Sequence, residues 1–234
     1  GTRSGESVMS ASEGFDDDEI VPEAGFINPH YVFAAATWLG SEAAGGYEYP
    51  GMQYTGRFEH AEGVGTCTQC HDPHGLRMRS DFSDDDDLCA ACHSEVTGRA
   101  DYRDIIEDRV DYDGDDSVEG VYYEIEGLKE ILHEAINAYT ERVLGSPAGW
   151  ADRFPYFFVD SNGNGAIDPE EASFPNRYQS FTPRLLRTAF NYQFAAKDPG
   201  GYVHNADYVL QLLYDSVEDL AEVVNTPPGL NRAK

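Results

Sequence analysis

The stretch Cys67–His93, CTQCHDPHGLRMRSDFSDDDDLCAACH, holds all four cysteines of this 234-residue chain and three of its seven histidines. Two Cys-x-x-Cys pairs stand in it, Cys67/Cys70 and Cys89/Cys92, with eighteen residues between Cys70 and Cys89. That spacing also fits a zinc ribbon, where two such pairs lie about 15–20 residues apart. The residue after each pair decides between the readings. His71 follows the first pair at once, and His93 follows the second. A zinc ribbon takes four thiolates and has no use for those histidines, and neither do two disulfides. Covalent haem attachment uses all three residues: each thiol adds to a vinyl group, and the adjacent imidazole reaches the iron as proximal ligand. For so scarce a residue, both placements by chance are on the order of one in a thousand. The expectation is two haem c groups, one on Cys67, Cys70 and His71, the other on Cys89, Cys92 and His93. Their closeness suits passing an electron from one to the other.

Five spare histidines are candidates for the remaining axial positions. His74 lies three residues after His71, beyond Asp72 and Pro73. It cannot easily reach round to the far side of its own haem, so it is expected on the second iron. His60, seven residues before Cys67, is placed for a distal position on either iron. His30 follows Asn28-Pro29 at a helix start, where the dipole favours the neutral imidazole that a metal takes. His133 falls towards the polar side of its helix and is expected in solvent. His204 precedes the helix-capping Asn205 and reads as structural. Met52 and Met78 are the thioether alternatives, but the supply of histidines favours bis-His ligation and lower potentials. Filling both axial positions argues against substrate binding at iron, and the expectation is a carrier and not an enzyme.

Two further segments carry oxygen donors. Asp160–Glu171, DSNGNGAIDPEE, matches an EF-hand loop position by position. Asp160, Asn162 and Asn164 supply side-chain oxygens, Gly165 makes the turn, Ala166 offers its carbonyl, Asp168 follows, and Glu171 closes as a bidentate ligand. DYDGDDSVEGVYYEIEG, from Asp111, begins alike with Asp111, Asp113 and Asp115, but has Asp116 at the turn and Tyr122 at the closing position. Glu119 or Glu124 is expected to substitute there. One calcium is expected in the later loop and a second in the earlier, fixing the two ends of the helix between them.

Net charge is −27, from 43 acidic and 16 basic residues. Phosphate recognition needs a basic footprint, and none is visible, so nucleic acid is excluded as partner and an anionic membrane surface is disfavoured. No run approaches the roughly 20 apolar residues of a membrane-spanning helix. The chain opens at Gly1 without Met and shows no signal peptide, and a segment ahead of it, either processed away or not included in this sequence, is expected.

The expected fold is mainly α. Residues 1–25 read as an acidic flexible arm. Residues 26–100 read as a loop-rich dihaem module, with a short helix over 28–40 and a small β-hairpin at GYEYPGMQYTG around Pro50-Gly51. Residues 101–234 read as a helical domain with EF-hand-like calcium loops. Helical spacing of apolar residues places helices over 121–144, 182–196 and 205–224.

With these residues in view, HAEGVGTCTQCHDPHG…LCAACH resembles the doubled CxxCH module of multihaem c-type cytochromes. The wider chain resembles the large outer-surface cytochromes of metal-reducing bacteria, through NPHY…AAAT…G, YEYPGMQYTGR and NYQFAAKDPGGYVHNADYVLQLLYDSVEDL. The resemblance implies haem attachment outside the cytoplasm, and electron transfer to redox proteins or extracellular acceptors. It also raises self-association into a conducting filament, with a histidine such as His30 ligating iron in a neighbour. A dihaem peroxidase is the enzyme alternative, but such enzymes place their haems in separate domains, far apart in sequence. A reductase would need one iron with a displaceable ligand.

Overall fold

The computed structural model describes residues 4–30, 33–75, 77–78, 89, 92–94, 101–106 and 108–234. Among them are seven α-helices and one two-stranded antiparallel sheet. In chain order these are α1 (Gly5–Ser12), α2 (Phe33–Leu39), α3 (Cys67–Cys70), α4 (Val121–Arg142), β1 (Ala148–Trp150), β2 (Phe157–Val159), α5 (Pro183–Lys197), α6 (Gly201–His204) and α7 (Ala206–Ala221). The core is where α4, α5 and α7 pack on one another.

The apolar period explains the packing. On α4, Leu128, Leu132, Ile136 and Tyr139 recur at steps of three or four and are fully buried. They meet Leu185, Leu186 and Phe190 of α5 and Val209, Leu213 and Val217 of α7 in one cluster. Each such side chain withdrawn from water contributes about 1.5–3 kcal/mol. The helix starts follow from side-chain caps. Thr182 accepts from the Leu185 N–H (3.2 Å), with Pro183 in the first turn, and Asn205 accepts from the Tyr208 N–H (3.2 Å). Each satisfies an N–H that the helix itself leaves unpaired.

The expected hairpin is not where the aromatics pointed. Residues 46–58 form an irregular strap, turning at Tyr49–Met52, where Gly51 has φ +88°. Its peptide groups pair with buried side chains of the helices and not with a second strand. Asn191 on α5 accepts from the Tyr47 N–H (2.7 Å) and donates to the Tyr47 carbonyl (3.0 Å). Gln211 on α7 accepts from the Thr55 N–H (2.8 Å), and Asn205 donates to the Gly56 carbonyl (3.0 Å). Phe58 then bonds back to the Trp38 carbonyl (2.9 Å), and the strap ends at His60. The sheet lies instead at β1–β2, with Gly149 opposite Phe158. The helix expected over 28–40 is found as α2; Tyr31 and Val32 lie outside the described residues.

The N-terminal arm is also more ordered than its composition implies. α1 packs on α5, and Val8 and Val21 are buried. Asp17 and Asp18 reach an arginine pair on α5: Arg184 Nε donates to Asp18 (2.9 Å) and Arg187 donates to Asp17 (2.7 Å). Both arginines also bond to Asp219 of α7, and Arg184 bonds to Glu222 (3.0 Å). The Arg184 and Asp219 side chains are only 4% and 7% exposed, so this pair is shielded from water. Removing one member leaves its partners charged and buried. We expect Asp219→Ala to destabilise the protein by about 3 kcal/mol, read from the midpoint of denaturant unfolding.

Candidate metal centres

The two Cys-x-x-Cys-His motifs share one backbone hydrogen bond. In α3 the His71 N–H bonds to the Cys67 carbonyl (2.8 Å), and at the second motif the His93 N–H bonds to the Cys89 carbonyl (2.8 Å). One turn of this kind puts the two sulfurs of a motif, three residues apart, on one side and leaves the histidine at its end. Thr66 and Gln69 form a reciprocal cap that starts the first turn. Cys67 and Cys92 are exposed. Burial and then the neighbouring Cys67 push the Cys70 thiol up. Among the described residues only Asp111, Asp113 and Asp115 bring three acidic, thiol or imidazole ligand atoms within 4.8 Å of one another. The four sulfurs therefore do not gather into the tetrahedron a zinc ribbon needs.

The histidine of each motif faces a second imidazole. The rings of His93 and His60 have centroids 6.2 Å apart, and those of His71 and His204 are 6.3 Å apart. A metal held between two imidazoles, at about 2 Å from each nitrogen, separates ring centres by about 6 Å. Rotation about the ligand axis leaves the angle between ring planes open, so the observed 60° and 44° are both compatible. Both ring separations are those that a metal placed between the two imidazoles would require. His60 is exposed at the surface, yet desolvation and then the nearby His93 lower its imidazole below the ordinary value.

His74 is exposed on the turn after the first motif, its N–H bonded to Asp72 Oδ1 (2.9 Å); the ring brought to His93 is that of His60. His30 is half-buried beside the buried Asn28, whose side chain accepts from Gln193 (3.2 Å). His133 is not in open solvent: it stacks on Tyr192 with ring centroids 5.6 Å apart. Met52 and Met78 are exposed. His204, read from the sequence as structural, is brought by the fold to His71. Its only signal was its place beside a helix cap, which explains the neighbour and not the histidine.

The two acidic loops share a hydrogen-bond plan. Asp160 accepts from the N–H groups of Gly163 (2.7 Å) and Gly165 (2.8 Å). Asp111 accepts from the equivalent Gly114 (2.6 Å) and Asp116 (2.9 Å). Positive φ recurs at the same two steps, Gly163 and Gly165 in one loop, Gly114 and Asp116 in the other. Glu171 accepts from Ser161 (2.7 Å) and Asp168 (3.1 Å); Glu124 accepts from Tyr112 (2.8 Å) and Glu119 (3.0 Å). Glu124, in the first turn of α4, therefore stands where Glu171 stands, and Glu119 contributes its N–H. Asn162 and Asn164 converge on Asp168 (2.8 and 3.1 Å). Oxygen donors in this order are a set a hard cation takes. In the earlier loop Gly127 leaves room for Asp113, since a Cβ there would collide with its carboxylate.

Residues 60–98 match the doubled CXXCH motif family. The chain resembles multihaem c-type cytochromes. It is 26% identical to the C-type polyheme cytochrome OmcB of Geobacter sulfurreducens over 93% of its own length, covering 29% of that protein. It is 27% identical to OmcC of the same organism, a C-type polyheme cytochrome too, over 83% of its length and 26% of the relative's. The chain thus spans less than a third of the curated relatives it matches. No solved structure matches it. The CXXCH motifs mark covalently bound haem c. No helix of the described residues is long and apolar enough to cross a membrane.

Burial, then the charges of Glu124 and Asp115, push Asp113 up to about 6 from 3.8. Folding therefore takes up a proton between those values, and the stability this proton contributes is lost as pH rises through about 6. Asp113→Asn is expected to stabilise cation-free protein near neutral pH but not near about pH 4, as read from thermal unfolding in chelator.

Proposed function

We propose that this chain is an extracytoplasmic dihaem c-type electron carrier, with haems on Cys67, Cys70, His71 and on Cys89, Cys92, His93. The observation that carries the reading is the hydrogen bond that both motifs share, from the histidine N–H to the first cysteine's carbonyl, with the second histidine's ring centred 6.2 Å from that of His60. Haem supplies a one-electron change at iron. The cysteines would tether it, His71 and His93 would each ligate the iron, and His60 would be the second ligand at the Cys89–Cys92 site. Where imidazole fills both axial positions the iron would have no vacancy for a substrate, which favours carriage over catalysis. The acidic surface selects basic or cation-bridged redox partners and repels polyanions.

Reduced-minus-oxidised spectra and haem stoichiometry test this directly. Two low-spin haems indifferent to carbon monoxide are expected, and a carbon monoxide complex on the intact protein would make it a haem enzyme instead. His60→Ala is expected to turn one haem high-spin, whereas His74→Ala leaves both low-spin.

The loops at Asp111–Glu124 and Asp160–Glu171 are proposed to hold calcium, the first closed by Glu124. Their role is structural, because they flank α4 and, among the described residues, no pair of long helices surrounds either loop to open as a sensor would. A calcium chelator is expected to lower the melting temperature while both haems stay attached, and an unchanged melting temperature would remove the role.

A further inference from the structure

His204 stands in the helical half of the chain, far in sequence from either attachment motif, and the dihaem reading needs one more axial ligand. Its ring centroid is 6.3 Å from that of His71. The ring is held in place by two neighbours. Its Nδ1 bonds to both carboxylate oxygens of Asp198 (2.9 and 2.8 Å), whose own side chain is 4% exposed. Gly200 lies against the ring's other atoms: a Cβ added there would come within 2.8 Å of Cε1 and 3.3 Å of Nε2. The backbone of the same turn is closed by the His204 N–H on the Gly200 carbonyl (2.9 Å). With Nδ1 engaged by a carboxylate, Nε2 is the nitrogen left for a metal. A carboxylate on the second nitrogen is the usual support of a metal-bound imidazole, since it fixes the tautomer and raises the ligand's basicity.

We infer that His204 is the sixth ligand of the haem attached at Cys67 and Cys70, with Asp198 as the residue that positions it. This rests on the haem reading above. The first haem is then coordinated jointly by the attachment turn and by α6, which joins the module to the helical core. Electron density from Asp198 favours the oxidised iron, so this haem is held at a lower potential than imidazole alone would set.

The test uses the full-length, haem-loaded protein. Haem content is measured first; a wild-type chain without haem would end the carrier reading itself, separately from this assignment. In His204→Ala we expect two attached haems, one turned high-spin and open to carbon monoxide, and a return to low-spin on adding free imidazole. Both haems remaining low-spin and closed to carbon monoxide would overturn the assignment. Should that variant fail to fold, His204→Met keeps a ligand at the site and is expected to raise the midpoint of one haem and spare the other; two unmoved midpoints would overturn it equally. Asp198→Asn keeps the shape and removes the charge. It is expected to leave both haems low-spin and to raise the midpoint of the haem that His204→Met affects. An unmoved midpoint would refute the positioning role and leave the ligand standing.

Discussion

An irregular segment can lie on a helical surface only if its peptide groups find partners, and that constraint shapes this protein. Residues 46–58 form no strand, so those of their N–H and carbonyl groups that are buried need partners outside a sheet. Asn191, Gln211 and Asn205, all buried on or beside α5 and α7, provide them. Read as hydropathy they interrupt the apolar faces of those helices; read as hydrogen-bonding groups they are the docking rail of the strap. Gly46 lets the strap come close, since a Cβ there would strike the Leu212 side chain. The strap delivers His60 to His93. A buried amide on a core helix thereby decides where a surface imidazole stands.

The charge balance has an inner and an outer side. Outside, the excess of carboxylates is spread over loops and helix faces and repels other anions. Inside, two of only 16 basic residues are spent at one place, where Arg184 and Arg187 gather Asp17, Asp18 and Asp219. That cluster ties the N-terminal segment, α5 and α7 together. Its cost is the desolvation of the guanidinium groups, and multiple charge-assisted bonds offset it.

The sequence made local features legible. The three long helices were readable from the spacing of Leu128, Leu132 and Ile136 and from the caps Thr182 and Asn205. The attachment motifs were readable because their chemistry is written in adjacent residues. The loop at Asp160 was equally local; the one at Asp111 was half visible, because its closing carboxylate comes two positions later than usual, from the helix that follows. What stayed hidden was long-range. Alternating tyrosines at 47, 49 and 54 imitate a strand when nothing shows that Asn191 will take the peptide group between them. The arm looked unstructured because its order depends on arginines some 170 residues away. His204 could not be paired with His71 for the same reason: a second imidazole announces itself through the fold and not through its neighbours.

The meeting of rings 71 and 204 also has a consequence for how the molecule comes together. On the assignment of His204 above, a bond through iron between residues so far apart in sequence forms only in the folded protein, so it stabilises the native state without restricting the unfolded one. The attachment module cannot make that link from its own residues. Docking of α5, α6 and α7 has to precede it, so the state of the metal centre becomes a readout of whether the helical half has reached its place. Anything that loosens those helices, however far from the iron, would register there first.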